Sequence, residues 1–192
     1  VTRTLVNGGA AAVCALVLAV SACASPPDSA TPDATPTASA PPTGGVDAGD
    51  DVGDDAELFR AAEDTYRAYV DALNRVDLSD PSTFEPVYAL TTGTVQSTLR
   101  DEFEQMKADG WTVGGATRVK AVVRGKRIDA SKLELLVCAD VSGVTLTDSD
   151  GRSRVSPERP DVHSLRITLV RSSDDWEIER IQAREGAPRC DV

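Results

Sequence analysis

The stretch Leu133-Glu134-Leu135-Leu136-Val137-Cys138-Ala139-Asp140-Val141-Ser142 carries the reading of the fold. Leu133, Leu135, Val137, Ala139 and Val141 alternate with Glu134, Leu136, Cys138, Asp140 and Ser142, a period of two that gives a strand one apolar face. The same period recurs on both sides of it. Val119, Ala121 and Val123 alternate with Arg118, Lys120 and Arg124. His163, Leu165, Ile167 and Leu169 alternate with Ser164, Arg166 and Thr168, and Trp176 and Ile178 with Glu177 and Glu179. Strands of this kind form an antiparallel sheet that is apolar on one side and wet on the other. Asp148-Ser149-Asp150-Gly151 is expected to turn one hairpin, and Asp174-Asp175 lies in another.

Upstream the period lengthens. Phe59, Ala62, Tyr66, Tyr69, Leu73 and Val76 follow steps of three and four and share one helical face. Asp54 or Asp55 is expected to cap that helix, with Glu57 in its first turn. Asp80-Pro81-Ser82 marks a stop and a restart, which predicts a short helix at 84–90. Val95, Leu99, Phe103 and Met106 predict a third over 94–109, ended by Gly110. Helices first and one-sided strands after them make the fold class α+β, a roll of N-terminal helices on an antiparallel sheet.

The N-terminal third has a different character. Arg3 precedes the apolar stretch 10–20, which has the length of a secretory h-region and is short for a spanning helix. Residues 24–55 hold six of the eleven prolines, seven acids, no base and no aromatic residue. Nothing in them can offset the entropy of ordering a chain, so they read as a disordered linker. Its reach runs from roughly 30 Å as a coil toward roughly 100 Å if stiffened by proline. That leaves 56–192 as one folding domain. The whole chain carries 31 acids and 20 bases. An acidic chain disfavours a nucleic-acid partner, because phosphate binding needs net positive surface.

Val20-Ser21-Ala22-Cys23 ends the apolar stretch and resembles the lipobox of bacterial lipoproteins. The resemblance implies a signal peptide over 1–22, palmitate-type lipidation of Cys23, and a domain anchored on the extracytoplasmic face of the cell membrane. Sixteen Arg against four Lys, many Ala, Val and Asp, and a Val1 start of GTG type point to a high-GC bacterium of actinobacterial kind. With Cys14 in the leader and Cys23 acylated, Cys138 and Cys190 remain, and an oxidising compartment favours one disulfide between them.

The order of elements over 56–186, the Tyr-bearing first helix and the closing Trp176 and Ile178 strand resemble the nuclear transport factor 2-like (cystatin-like) superfamily. That resemblance implies a curved sheet wrapping the helices into a cone. The strand through Cys138, the Asp150-Gly151 turn and the late Cys190 are also similar to small actinobacterial lipoproteins of unassigned role. The superfamily's isomerase and cyclase branches use acid–base pairs that find no counterpart here, since Asp140 has the parity opposite the apolar face.

Few side chains suggest chemistry. His163, the one histidine, has the parity of Leu165 and Ile167 and is the candidate acid or base at the cone mouth. Tyr66, Tyr69, Tyr88 and Trp111 are candidates to line a pocket or to pack the core. Asp148, Asp150 and Gly151 resemble the opening of a calcium loop, but the position twelve along is Arg159 and not an acid. No metal or cofactor site is therefore expected. Arg118, Lys120, Arg124, Lys126 and Arg127 form one basic stretch, three of them expected on an outward face open to anionic headgroups or wall polymer. The expected function is a non-catalytic interaction or small-ligand module of the envelope, with an envelope protein or a small apolar molecule as partner. An isomerase- or cyclase-like enzyme using His163 is the alternative.

Overall fold

The computed structural model describes residues 50–173, 175–185 and 190. The chain divides into residues 1–44 and 45–192, and all the described residues belong to the second unit. Cys14, Cys23, the lipobox and most of the expected linker lie outside the described residues.

Helix α1 spans Asp50–Leu73, α2 Glu85–Tyr88 and α3 Gly93–Ala108, with a 3-10 turn at Pro81–Thr83. Among the described residues six strands follow: β1 Thr112–Gly114, β2 Arg118–Asp129, β3 Lys132–Asp140, β4 Thr145–Thr147, β5 Val162–Ser172 and β6 Asp175–Ala183. Strands β2, β3, β5 and β6 form an antiparallel meander in that order, and β1 pairs with β4 alone. The fold class is α+β, helices packed on a curved antiparallel sheet. Among the described residues, no helix is long and apolar enough to cross a membrane.

The first helix starts earlier than expected. It begins at Asp50, so Asp54 and Asp55 are helical residues and not caps, and the expected linker of 24–55 ends inside α1. The physical reason is that acids suit a helix N-terminus as well as they suit a solvated linker. Asp55 forms an ion pair with Arg127 of β2.

One face of α1 supplies the buried Phe59, Ala62, Tyr66, Tyr69 and Val70. They meet Leu133, Leu135 and Val137 of β3, Ile167 and Leu169 of β5, and Trp176 and Ile178 of β6 in a single cluster. Each large aliphatic side chain so buried contributes roughly 1.5–3 kcal/mol. The α2–α3 segment joins the far edge of the sheet by backbone bonds. The Thr92 N–H donates to Ile178 O, and the Ile178 N–H to Leu90 O, both at 2.9 Å. Thr91 is fully buried there, its hydroxyl donating to the carbonyls of Val87 and Tyr88 at 3.2 Å.

Strand β2 departs from simple alternation. Its pairing with β3 shifts between Val119 and Ala121 and again between Arg124 and Arg127. Each bulge flips the parity of the residues after it. Val122, opposite Val137, packs on the core, while the expected inward Val123 lies opposite Leu136 and is 41% exposed. Gly125 belongs to the second bulge, where a Cβ would stand 2.5 Å from the Glu134 carbonyl oxygen. No larger residue fits that approach.

Four turns share one device. In Asp77-Leu78-Ser79, Asp80-Pro81-Ser82, Asp129-Ala130-Ser131 and Asp140-Val141-Ser142, one aspartate oxygen accepts both the amide and the hydroxyl of the serine two residues on. The carboxylate takes the place of a backbone turn. These bonds to Ser79, Ser131 and Ser142 hold Asp77, Asp129 and Asp140 below the usual carboxylate range. The expected turn at 148–151 uses the same chemistry, Asp148 accepting the amides of Asp150 and Arg152, and it closes a minimal bridge between Thr147 and Ser153. Ser172 of β5 pairs with Asp175 of β6, in keeping with the second expected turn, where Asp174 lies outside the described residues.

Cys138 and Cys190 form a disulfide, with their Cα atoms 5.4 Å apart. Cys138 pairs across to Ser164 on the sheet face opposite the helices, so Cys190 is held on that outer face. Closing a loop of this length removes chain entropy worth about 4 kcal/mol. The double substitution Cys138→Ala, Cys190→Ala should lower unfolding free energy by about 2–4 kcal/mol in urea titration. An unchanged midpoint would show that the bridge constrains nothing.

Candidate functional site

The residues after α1 frame an apolar cavity. Asn74 reaches the loop before β2: its amide donates to Thr117 O at 2.9 Å, and the Thr117 N–H donates to its carbonyl oxygen at 2.8 Å. The side chain thus acts as a strand neighbour and ties the β1–β2 loop to the end of α1. Gly115, with φ at +76°, makes the loop's closest approach. A Cβ there would lie 1.8 Å from the Gly143 carbonyl oxygen, so the β1–β2 and β3–β4 loops touch through backbone. Arg159 fixes the second loop by donating to the carbonyls of Val141 at 2.8 Å and Val144 at 3.1 Å.

Between these loops and α3 lies a cavity of about 200 Å³. Leu73, Val76, Leu78, Phe103, Met106 and Val113 supply its apolar walls, and Asn74, Gly114, Gly115, Thr117 and Val144 complete it. A neighbouring recess of about 390 Å³ shares Val76, Leu78 and Val113 and extends to Trp111 and Asp77. None of the side chains lining the smaller cavity is ionisable. It can bury an apolar group, and its walls have no proton to give or take.

The sequence-derived candidates fall elsewhere. His163 lies opposite Ala139 on the helix-facing side of β5, as its parity implied. Its ring is half-buried, and Nε2 is enclosed with no hydrogen-bond partner among the described residues. His163 lines neither this cavity nor its neighbour. Asp140 is on the opposite face, its carboxylate occupied by the Ser142 hydroxyl at 2.6 Å and amide at 3.0 Å. The structure does not bring the two together.

Tyr66, Tyr69 and Tyr88 are buried in the core, whereas Trp111 lines the recess with the Arg154 guanidinium 4.7 Å above its ring. Burial pushes the Tyr66 phenol up to about 12, against the opposing charge of Arg67. Burial, with Tyr66 and Glu102 next in effect, raises Tyr69 further. Neither phenol ionises near neutral pH. The Asp148–Gly151 segment is a turn, with Arg152 paired to Asp150, and no group of three or more metal-ligating residues occurs among the described residues.

The basic stretch is divided by the bulges. Arg118 stands on the outer face opposite Asp140, as expected, but Arg124 and Arg127 pair with Leu135 and Leu133 and so share the helix-facing side. The expectation of a common outward face fails for Arg124, because alternation was counted through the register shift between Val119 and Ala121. Sequence reasoning also missed Asn74, Thr117 and Val144. The one legible signal was Gly114-Gly115, a pair that marks a tight turn.

No protein-family model matches the chain, and no curated protein matches it. Among solved structures, it is similar to the intermembrane space region of the chloroplast protein ARC6, with TM-score 0.46 and 15% identity over 65% of this chain and 94% of that one. It is similar to a variant of Rv3472, a Mycobacterium tuberculosis protein of unknown function, with TM-score 0.47 and 13% identity over 69% and 74%. It is also similar to Aln2 from a Streptomyces species, with TM-score 0.41 and 16% identity over 66% and 90%. These likenesses assign no activity, ligand or partner to the chain.

Proposed function

We propose that the chain is an extracytoplasmic lipoprotein of an actinobacterial-type cell, anchored in the membrane through Cys23. Its nuclear transport factor 2-like domain would bind a small apolar molecule, or the apolar part of a larger one, without transforming it. The observation that carries this reading is the cavity beside Met106, with apolar walls and no ionisable side chain among its lining residues. Ligand sites are mostly apolar concavities with a few polar groups, and acid–base catalysis needs a titrating group in reach of the substrate. The rival, an isomerase- or cyclase-like enzyme, has in its favour the enclosed Nε2 of His163 on the helix-facing side. It lacks a carboxylate partner at Asp140, which faces the other way.

Anchoring needs more than one acyl chain, each buried methylene contributing about 0.8 kcal/mol, and acylation at Cys23 supplies two or three in the resembled family. Metabolic labelling with a clickable palmitate should mark the protein and lose the mark in Cys23→Ala; label kept in that variant would rule out the anchor.

Met106 is the only methionine, so its methyl resonance reports on the cavity without assignment. Titration with toluene should shift that resonance saturably, and Val144→Phe, which fills the cavity from the β3–β4 loop, should abolish the shift. A resonance that never moves, or moves equally in the filled variant, would leave the cavity without a binding role.

A further inference from the structure

We propose that a second site, the groove between the beginning of α1 and the bulged strand β2, binds a small carboxylate carried on a compact aryl or alkyl body, with Arg124 as the residue that grips it. The groove holds about 590 Å³, within the range of roughly 300–1,000 Å³ typical of small-molecule sites. It shares no lining residue with the cavity beside Met106.

One register shift puts Arg124 there. The bulge after Val119 returns Arg124 to the side of Leu135, and the bulge at Gly125 does the same for Arg127. The two arginines then differ in what they meet. Arg127 is paired with Asp55, whereas Arg124 has the Phe59 ring at 5.7 Å and no carboxylate partner among the described residues. A guanidinium on the helix-facing side of a sheet, resting on an aromatic face and lacking an acid, presents its planar donor fork to the groove.

The acids of the groove do not cancel it. Glu63 is held by Arg67, which donates two bonds to one of its oxygens at 2.9 and 2.7 Å. Glu57 stands 3.9 Å from Arg60, and both side chains are about three-quarters exposed. An exposed pair of that kind is weak, so Arg60 can turn to a second anion oxygen at little cost. Val122 and Ala56 line the groove over the buried Phe59 and Leu135 and offer apolar surface to the body of the ligand. A carboxylate matches the fork bidentately, and the apolar wall next to it selects an acid with a hydrophobic body over a bare inorganic anion.

Isothermal titration of the whole chain with phenylacetate tests this, with phenylacetamide and inorganic phosphate as comparisons. Saturable binding of phenylacetate is expected, with phenylacetamide and phosphate each at least about tenfold weaker. Arg124→Gln should lower phenylacetate affinity about tenfold or more, and Arg124→Lys should lose most of it, because an ammonium lacks the fork. Arg124 is exposed at the groove, so both variants are expected to keep the near-ultraviolet circular dichroism of the parent. Absent binding, equal binding by the Arg124→Gln variant, or phosphate binding as tight as phenylacetate would each overturn the proposal. A Met106 methyl shift with affinity unchanged in Arg124→Gln would overturn it too, by placing the probe in the other cavity.

Discussion

Burial of one stripe of α1 against the apolar face of the sheet is the interaction on which the rest of the structure depends. Phe59, Ala62, Tyr66, Tyr69 and Val70 on the helix, and Leu133, Leu135, Val137, Ile167, Leu169 and Ile178 on the strands, are all buried in one cluster. Neither partner can stand alone. A single amphipathic helix is marginal in water, and a sheet with one bare apolar face associates with whatever covers it. The cluster also explains much of the distribution of charge, since most acids and bases are left to turns, helix exteriors and the outer face, with Arg124 and Arg127 at the margin of the helix-facing side. Both cavities open at the margins of this contact: one past the C-terminal end of α1, the other beside its first turns.

The parts legible in the sequence were those whose period persists. The α1 stripe and the long strands β3 and β5 each show enough repeats for the helical or alternating pattern to declare itself, and β6 shows it for Trp176 and Ile178 before its pairing with β5 shifts; the structure places these alternating residues inward. The parity of Cys138 was readable for the same reason, and the disulfide to Cys190 lies on the outer face that parity required. Strands β1 and β4, at three residues each, are too short to show a period. Strand β2 is long, but its register against β3 shifts three times, and each shift resets the alternation without any change in composition. Gly125 was its only trace. The acid run at 50–55 served equally well as linker or helix start, and the structure makes it the start of α1, with Asp55 paired to Arg127.

The Asp-x-Ser turns show a different limit. Four of them recur among the described residues, each with the same two bonds from serine to aspartate, yet in the sequence only Asp80-Pro81-Ser82 stands out, as a stop and restart. Some acids that count as surface charge in the sequence are thus turn residues. The bulges act in the same spirit on the bases. They split a stretch that reads as one basic face into Arg118 outside, Arg127 paired with helix α1 and Arg124 facing a groove. Of the residues that sequence offered as chemistry, His163 kept its expected side of the sheet but gained no partner from Asp140.

Native-state hydrogen exchange tests most directly whether the α1–sheet contact is the organising interaction. The amides of 66–70 in α1 and of 133–137 in β3 should open together, as one unit, at the global unfolding free energy, and lose protection in parallel as urea is added. The same experiment would contradict the account if the α1 amides exchanged through a separate opening of much lower free energy while the β3 amides stayed protected. In that case the sheet would hold its fold without the helix.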